Sequence, residues 1–269
     1  MKKIQNRPAL RSALPGPQKW AIKGPKSAAP AIASLTCWLA LGCATQGSAL
    51  PATKTDAGRS AAQAPAMPPP DRQAATSPPN RVDDFVDVAR LEPGIRVDLR
   101  YATAQNFTGQ VVYPPSARCY LRARVAQRLQ AVQRDLATQG LGLKVFDCYR
   151  PLSVQRRFFA LVPDERYVAN PAKGSRHNKG AAVDLTLVDA AGVELAMPTP
   201  FDDFSERAHR DYTALPQVAI ENRGRLEAAM VRHGFVPLPT EWWHFDDRDA
   251  KGDGLSDVRF EDLAATAPH

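Results

Sequence analysis

The stretch from Ser175 to Leu187, SRHNKGAAVDLTL, constrains this chain more than any other. Val183, Leu185 and Leu187 recur every second residue and line one face of a predicted buried strand, while Asp184 points the other way with Ala182 and Thr186. A carboxylate among such small neighbours has room for an ion beside it. His177 stands seven positions earlier, in a polar, glycine-flanked segment on a loop or at the start of the strand. Much later, Glu241-Trp242-Trp243-His244 adds another carboxylate and another imidazole three positions apart.

Zinc takes imidazole nitrogen and carboxylate oxygen, and catalytic zinc sites keep three protein ligands and a fourth position for water. His177, Asp184 and His244 make such a set, and Glu241 is the spare carboxylate, placed to take a proton. The rival reading is satisfied core histidines, because His-x6-Asp and Glu-x-x-His are both short patterns. The helix-borne H-E-x-x-H signature is absent. His209 reads as structural or as an outer neighbour, since an added ligand would close the metal to water.

The formal net charge of +7 invites a polyanion partner until it is located. Residues 1–42 carry Lys2, Lys3, Arg7, Arg11, Lys19, Lys23 and Lys26 and no Asp or Glu, which accounts for the whole excess. The remainder is balanced and makes no electrostatic case for nucleic acid. This basic start precedes Ser27–Gly42, an uncharged, Ala- and Leu-rich run too short for a spanning helix and suited to a signal-peptide core. It ends in Ala40-Leu41-Gly42-Cys43, which resembles a bacterial lipoprotein cleavage box, with alanine where leucine is more usual. Residues 1–43 are therefore expected to be a signal peptide or lipoprotein leader, with Cys43 as the lipidation site. That predicts export to the periplasm and attachment to the membrane. An uncleaved anchor is the alternative.

Residues 44–81 are rich in Pro, Ala, Ser and Thr, with few large apolar side chains to offset ordering entropy, and are expected to be a disordered tether. Cys119 and Cys148 are the two cysteines outside the leader, and neither sits in a C-x-x-C spacing. In an exported protein they are candidates for a disulfide; two buried free thiols are the alternative.

Order is expected over residues 82–262. Phe85, Val86, Val88 and Leu91 predict a first strand, and Arg96–Tyr101 a second. Leu121, Val125, Leu129, Val132 and Leu136 recur at helical spacing up to a stop at Gly140. Leu143–Cys148 reads as a strand, Pro151 opens a helix, and a further helix runs from about Pro216 to His233 before Gly234. Phe235-Val236 and Trp242–Phe245 look like a closing pair of strands. Helices and strands mix without regular alternation, which predicts an α+β domain with a mainly antiparallel sheet flanked by helices.

Five segments taken together carry a resemblance. They are Tyr101-Ala102-Thr103 with Asn106–Gly109, Asp147–Pro151, Ser175–Leu187, Phe201-Asp202 with Ser205–His209, and Glu241–His244. In this order and spacing they resemble the zinc D-alanyl-D-alanine dipeptidases of the VanX type, within the D-Ala-D-Ala peptidase and Hedgehog-like fold group. The resemblance implies one zinc per chain on His177, Asp184 and His244, with Glu241 as general base. It matches Arg150 to an arginine that stabilises the transition state, and Asp202, Tyr101 and Ser175 to positions near the substrate. The implied reaction is hydrolysis of the small dipeptide D-alanyl-D-alanine. The rivals are cleavage of peptidoglycan stem peptides by a D,D-carboxypeptidase or endopeptidase, and a non-catalytic, zinc-stabilised wall-binding module. Each role has a plainer counterpart: Arg150 as an ion-pair partner of Asp147 or Asp202, Asp202 as a helix cap, and Tyr101 as core with a free hydroxyl. Nothing in the residues sets an oligomeric state.

Overall fold

The computed structural model describes residues 84–266. The leader, Cys43 and the tether lie outside the described residues. At the centre is a five-stranded sheet in the order β2-β4-β5-β7-β6: β2 (Arg96–Val97), β4 (Leu141–Asp147), β5 (Ala182–Asp189), β7 (His244–Asp247) and β6 (Phe235–Pro237). Only β2 runs parallel to its neighbour β4, and the other pairings are antiparallel. The expected α+β class and mainly antiparallel sheet are what the chain adopts. A small second sheet pairs β1 (Phe85–Asp87) with β3 (Tyr120–Arg122).

Two long helices pack near this sheet. Helix α2 (Ala123–Ala137) buries Val125, Ala126, Leu129, Val132 and Leu136, one apolar stripe at helical spacing. Helix α4 (Gln217–Arg232) buries Ala219, Leu226, Ala229 and Met230. Both meet Val183, Leu185 and Leu187 of β5 in one apolar core. Gly140 and Gly234 follow these helices with φ of +72° and +88°, left-handed geometry that glycine adopts without a Cβ penalty. Asp247, fully buried at the end of β7, pairs with Arg124 and Arg128 of α2, so its charge is matched. Strand β5 is buried on both faces. Its second face, carrying Asp184 and Thr186, supports the chemistry.

Several boundaries differ from expectation, and the closing strand expected over Trp242–Phe245 runs over His244–Asp247, with both tryptophans in the turn before it. The first predicted strand stops at Asp87, whose carboxylate accepts the Ala89 N–H at 3.0 Å and caps a short helix α1 (Val88–Leu91). The second stops at Val97, and a 3-10 turn over Arg100–Ala102 carries Tyr101 into the interior. Leu121 belongs to β3, not to the helix; its four-residue spacing to Val125 mimics a helical repeat. A last helix α5 (Phe260–Thr266) was not legible in the residues. It sets Phe260 against Tyr113 and Tyr149, with ring centroids 4.8 and 6.1 Å away.

Candidate active site

Three neighbouring strands deliver the central side chains. Across β5 and β7 the register pairs Asp184 with His244, and across β4 and β5 it pairs Asp147 with Asp184. The second pairing depends on a bulge between Val145 and Asp147. Val145 lies opposite Leu185, so a regular ladder would set Phe146 beside Asp184. The extra residue brings Asp147 there instead. His177 arrives from the other side, on a 3-10 turn over His177–Lys179 that ends at Gly180 with φ +66°. A Cβ on Gly180 would come within 2.4 Å of the Phe85 ring, so the turn needs glycine for space as well as for backbone angle.

His177, Asp184 and His244 are brought together, all buried, with their ligand-type atoms within 4.8 Å of one another. His244 Nδ1 lies 2.9 Å from Asp184 Oδ1 and 3.2 Å from His177 Nε2, and His177 Nε2 lies 3.4 Å from Asp184 Oδ1. The far nitrogens are engaged elsewhere. His177 Nδ1 is 2.7 Å from the Cys148 carbonyl oxygen, which can only accept, so the proton sits on Nδ1 and Nε2 presents a lone pair. His244 Nε2 is 3.0 Å from Asp246 Oδ1, which orients that ring in the same manner. Three electron-pair donors thus converge, and only positive charge reconciles them. Burial alone would depress the His244 imidazole, but the hydrogen bonds it donates to Asp184 and Asp246 outweigh it and push it up to about 10. Burial would raise the Asp184 carboxyl, yet the two imidazoles hold it well below the ordinary carboxylate range. The donor types and their orientation fit a divalent cation.

Glu241 stands at the edge of this group, its Oε2 3.9 Å from His244 Nδ1. Burial first, and the Asp184 charge after it, raise its carboxyl above the ordinary value, against the lowering effect of His244. Arg150 is fixed beside the site. Its Nε and Nη2 donate to Asp147 Oδ2 at 3.1 and 2.6 Å, and Nη1 donates to Gln155 Oε1 at 2.8 Å. Asp147 also accepts the Tyr113 hydroxyl at 2.7 Å. The Arg150 ion pair with Asp147 is therefore made, and it leaves the guanidinium lining the cavity.

Tyr101 is buried as core, but its hydroxyl is not free: it donates to Asp202 Oδ1 at 3.1 Å. Asp202 Oδ2 accepts the Phe107 N–H at 3.2 Å, so this residue ties two loops together and caps no helix. Its φ of +61° is left-handed, unusual for a residue with a side chain and a mark of a constrained site. Ser175 Oγ accepts the His177 N–H at 3.3 Å, which steadies the turn that carries His177. All three line one cavity of about 400 Å³ with Glu241, Arg150 and the metal-type group. Trp243 forms part of its wall, and Trp242 is core, its Nε1 donating to Thr199 Oγ1 at 2.9 Å. His209 lies apart, in a neighbouring cavity. Cys119 and Cys148 are joined in a disulfide with a Cα–Cα distance of 5.2 Å.

A family described as D-ala-D-ala dipeptidase matches residues 81–265. The chain belongs to that dipeptidase family. It is an enzyme, a hydrolytic peptidase. The D-alanyl-D-alanine dipeptidase of Escherichia coli is 38% identical over 163 residues, covering 61% of this chain and 84% of the relative. That of Enterococcus faecium is 34% identical over 186 residues, covering 61% and 92%. Among solved structures, the vancomycin-resistance D,D-pentapeptidase VanY in complex with Zn(II) is 17% identical, covering 55% of this chain and 85% of its own, with a TM-score of 0.35. That distance is too great to carry an argument.

Within this dipeptidase fold, sequence reasoning overlooked the residues that hold the functional ones in place. Asp246 sits two positions beyond His244 on β7, a spacing that puts both on one face of a strand. Gln155 lies one turn into α3 (Leu152–Leu161), fully buried, bonding Arg150 and the Ala169 carbonyl. Asn178 follows His177 directly and donates to the Arg150 carbonyl at 2.8 Å. For Asp246 the strand alternation carried a signal; for Gln155 and Asn178 no local pattern did.

Proposed function

We propose that this chain is a zinc-dependent dipeptidase that hydrolyses D-alanyl-D-alanine to two D-alanines. The observation that carries the reading is the convergence of His177 Nε2, Asp184 Oδ1 and His244 Nδ1 on the wall of a cavity that also holds Glu241 and Arg150. These three side chains would hold one zinc. Zinc bound there supplies Lewis acidity, which brings the pKa of a water from about 15.7 toward about 7 and polarises a peptide carbonyl. Glu241 takes the proton of the attacking water and passes it to the leaving amine, a role suited to a carboxyl raised toward neutrality. Of the five N–H groups of Arg150, three are committed to Asp147 and Gln155, which leaves two to donate to an oxygen on which charge develops in the cavity that Arg150 lines. Tyr101 and Asp202 act as a rigid pair on the substrate side, and Ser175 positions the ligand turn while facing the cavity.

Metal analysis paired with dipeptide hydrolysis, before and after chelation, tests this reading. One zinc per chain, loss of turnover with the metal and its return on re-addition are expected; hydrolysis unaffected by metal removal would overturn it. A second reading, cleavage of D,D-terminated stem peptides of peptidoglycan, is favoured by one observation. A further cavity of about 360 Å³ shares Arg166, Tyr167, Phe204, Thr240 and Glu241 with the first, offering space beyond a dipeptide. Preference for an N-acylated D-Ala-D-Ala over the free dipeptide would establish that reading instead.

The same proposal places the enzyme outside the cytoplasm, in the periplasm and lipid-anchored through Cys43. The leader composition supports this, and so does a buried disulfide, which persists in oxidising compartments. From there it would act on wall-derived dipeptide, in scavenging or turnover, and not on a cytoplasmic precursor. Recovery of the native protein in the cytosolic fraction with an intact N-terminus would refute the placement.

A further inference from the structure

The Cys119–Cys148 disulfide takes no part in the mechanism above, yet Cys148 is embedded in it. Asp147 precedes it, Arg150 follows two positions later, and its carbonyl oxygen is the acceptor for His177 Nδ1. That hydrogen bond fixes both the tautomer and the tilt of the imidazole. Such an outer partner of a metal-binding histidine is worth about ten- to a hundredfold in metal affinity or activity.

The position of this carbonyl depends on what restrains Cys148. It lies just beyond β4, directly after the bulge that interrupts the β4–β5 register. Two ties reach it from β3 and the residue just before that strand: the Tyr149 N–H donates to the Tyr120 carbonyl at 2.9 Å, and the disulfide joins it to Cys119. Cys119 is anchored in turn, its carbonyl accepting the Val88 N–H at 2.9 Å. Both cysteines are 1% exposed, so the link is inside the core, in contact with the site and away from the surface.

We infer that this disulfide is a positioning element of the metal centre. It holds the Cys148 carbonyl against His177, so that breaking it weakens metal binding in a chain that stays folded. The inference rests on His177 being a metal ligand, as proposed above. Cleavage by a dithiol reductant is thiol–disulfide exchange. A reductant thiolate attacks one sulfur, the S–S bond breaks and a mixed disulfide forms. The reductant's second thiol then closes its own disulfide, leaving Cys119 and Cys148 as two thiols and the reductant oxidised by two electrons. Burial makes that exchange wait on local opening.

Cys119→Ala cuts the tie while leaving Cys148 and its carbonyl unchanged. Zinc affinity of the full-length variant, measured by competition with a chromophoric chelator, is expected to fall about tenfold to a hundredfold. Its near-ultraviolet circular dichroism should match the parent, and the visible spectrum of its Co(II)-substituted form should shift, because ligand orientation has changed. Unchanged affinity with an unchanged Co(II) spectrum overturns the inference. Should Cys119→Ala fail to fold, the parent protein is reduced under native conditions until two further thiols titrate, and the same quantities are read. Metal loss that only tracks loss of near-ultraviolet signal makes the disulfide a general staple and overturns the inference equally. His177→Ala in the disulfide-intact chain separates the two levels. If it retains full zinc affinity, the metal reading fails and this one with it; if it loses zinc while Cys119→Ala does not, only the role of the disulfide falls.

Discussion

Two buried aspartates share the cavity, and their surroundings drive them in opposite directions. Asp184 faces His177 and His244, and the two imidazoles override burial and hold it ionised. Asp202 faces a phenol and a backbone amide; burial and the nearby Asp184 charge push its carboxyl well above the ordinary value. The same side chain is thus a charged donor at one end of the pocket and, at the other, a brace whose carboxyl is biased toward its neutral form. The environment assigns the role, and the residue type does not.

The strongest way to break this contrast is at the charged end. Asp184→Asn is expected to lose metal and activity together, by more than the roughly hundredfold that outer-shell changes cause, as read by metal content and D-Ala-D-Ala turnover. Glu241→Gln should separate the two properties, lowering kcat by about 10²- to 10⁴-fold with zinc content unchanged. Arg150→Lys should lower kcat by about 10²- to 10³-fold without affecting the metal, because an ammonium cannot hold Asp147 and Gln155 and still present a planar fork to the substrate.

The gentlest prediction concerns the Asp202 carboxyl. Its folded-state pKa lies above the unfolded value, so the native state binds more protons, and stability falls as pH rises from the ordinary aspartate range through the raised value. Asp184 works in the opposite sense: its stabilising effect is present above the unfolded pKa and is lost as pH falls below it. Thermal melts of metal-free protein across pH should therefore show that Asp202→Asn flattens the decline on the alkaline side and leaves the acid side alone. A decline of equal slope in the variant would dissolve the contrast.

The sequence exposed the charged end and concealed the other, for physical reasons. His177 with Asp184, and Glu241 with His244, lie within a few residues of one another, so their spacing could be weighed as ligand chemistry. The helices were legible because α2 and α4 carry apolar stripes bounded by glycine. Tyr101 and Asp202 are separated by 101 positions, and their hydrogen bond exists only once the 3-10 turn at Arg100–Ala102 has folded inward. Resemblance had to supply those two residues and Arg150. Even so it left the Tyr101 hydroxyl unassigned, because no local pattern records which carboxylate a phenol will find. Helix α5 escaped because seven residues hold too few repeats to display a period.

The irregular step in β4 between Val145 and Asp147 has an evolutionary corollary. Point substitutions can drift along that strand while parity is preserved, but gaining one codon between Val145 and Phe146, with a single bulge kept, would move everything that follows by one place and seat Phe146 where Asp147 now meets Asp184. Lineages carrying this domain should therefore accept changes of letter in β4 far more readily than changes of length.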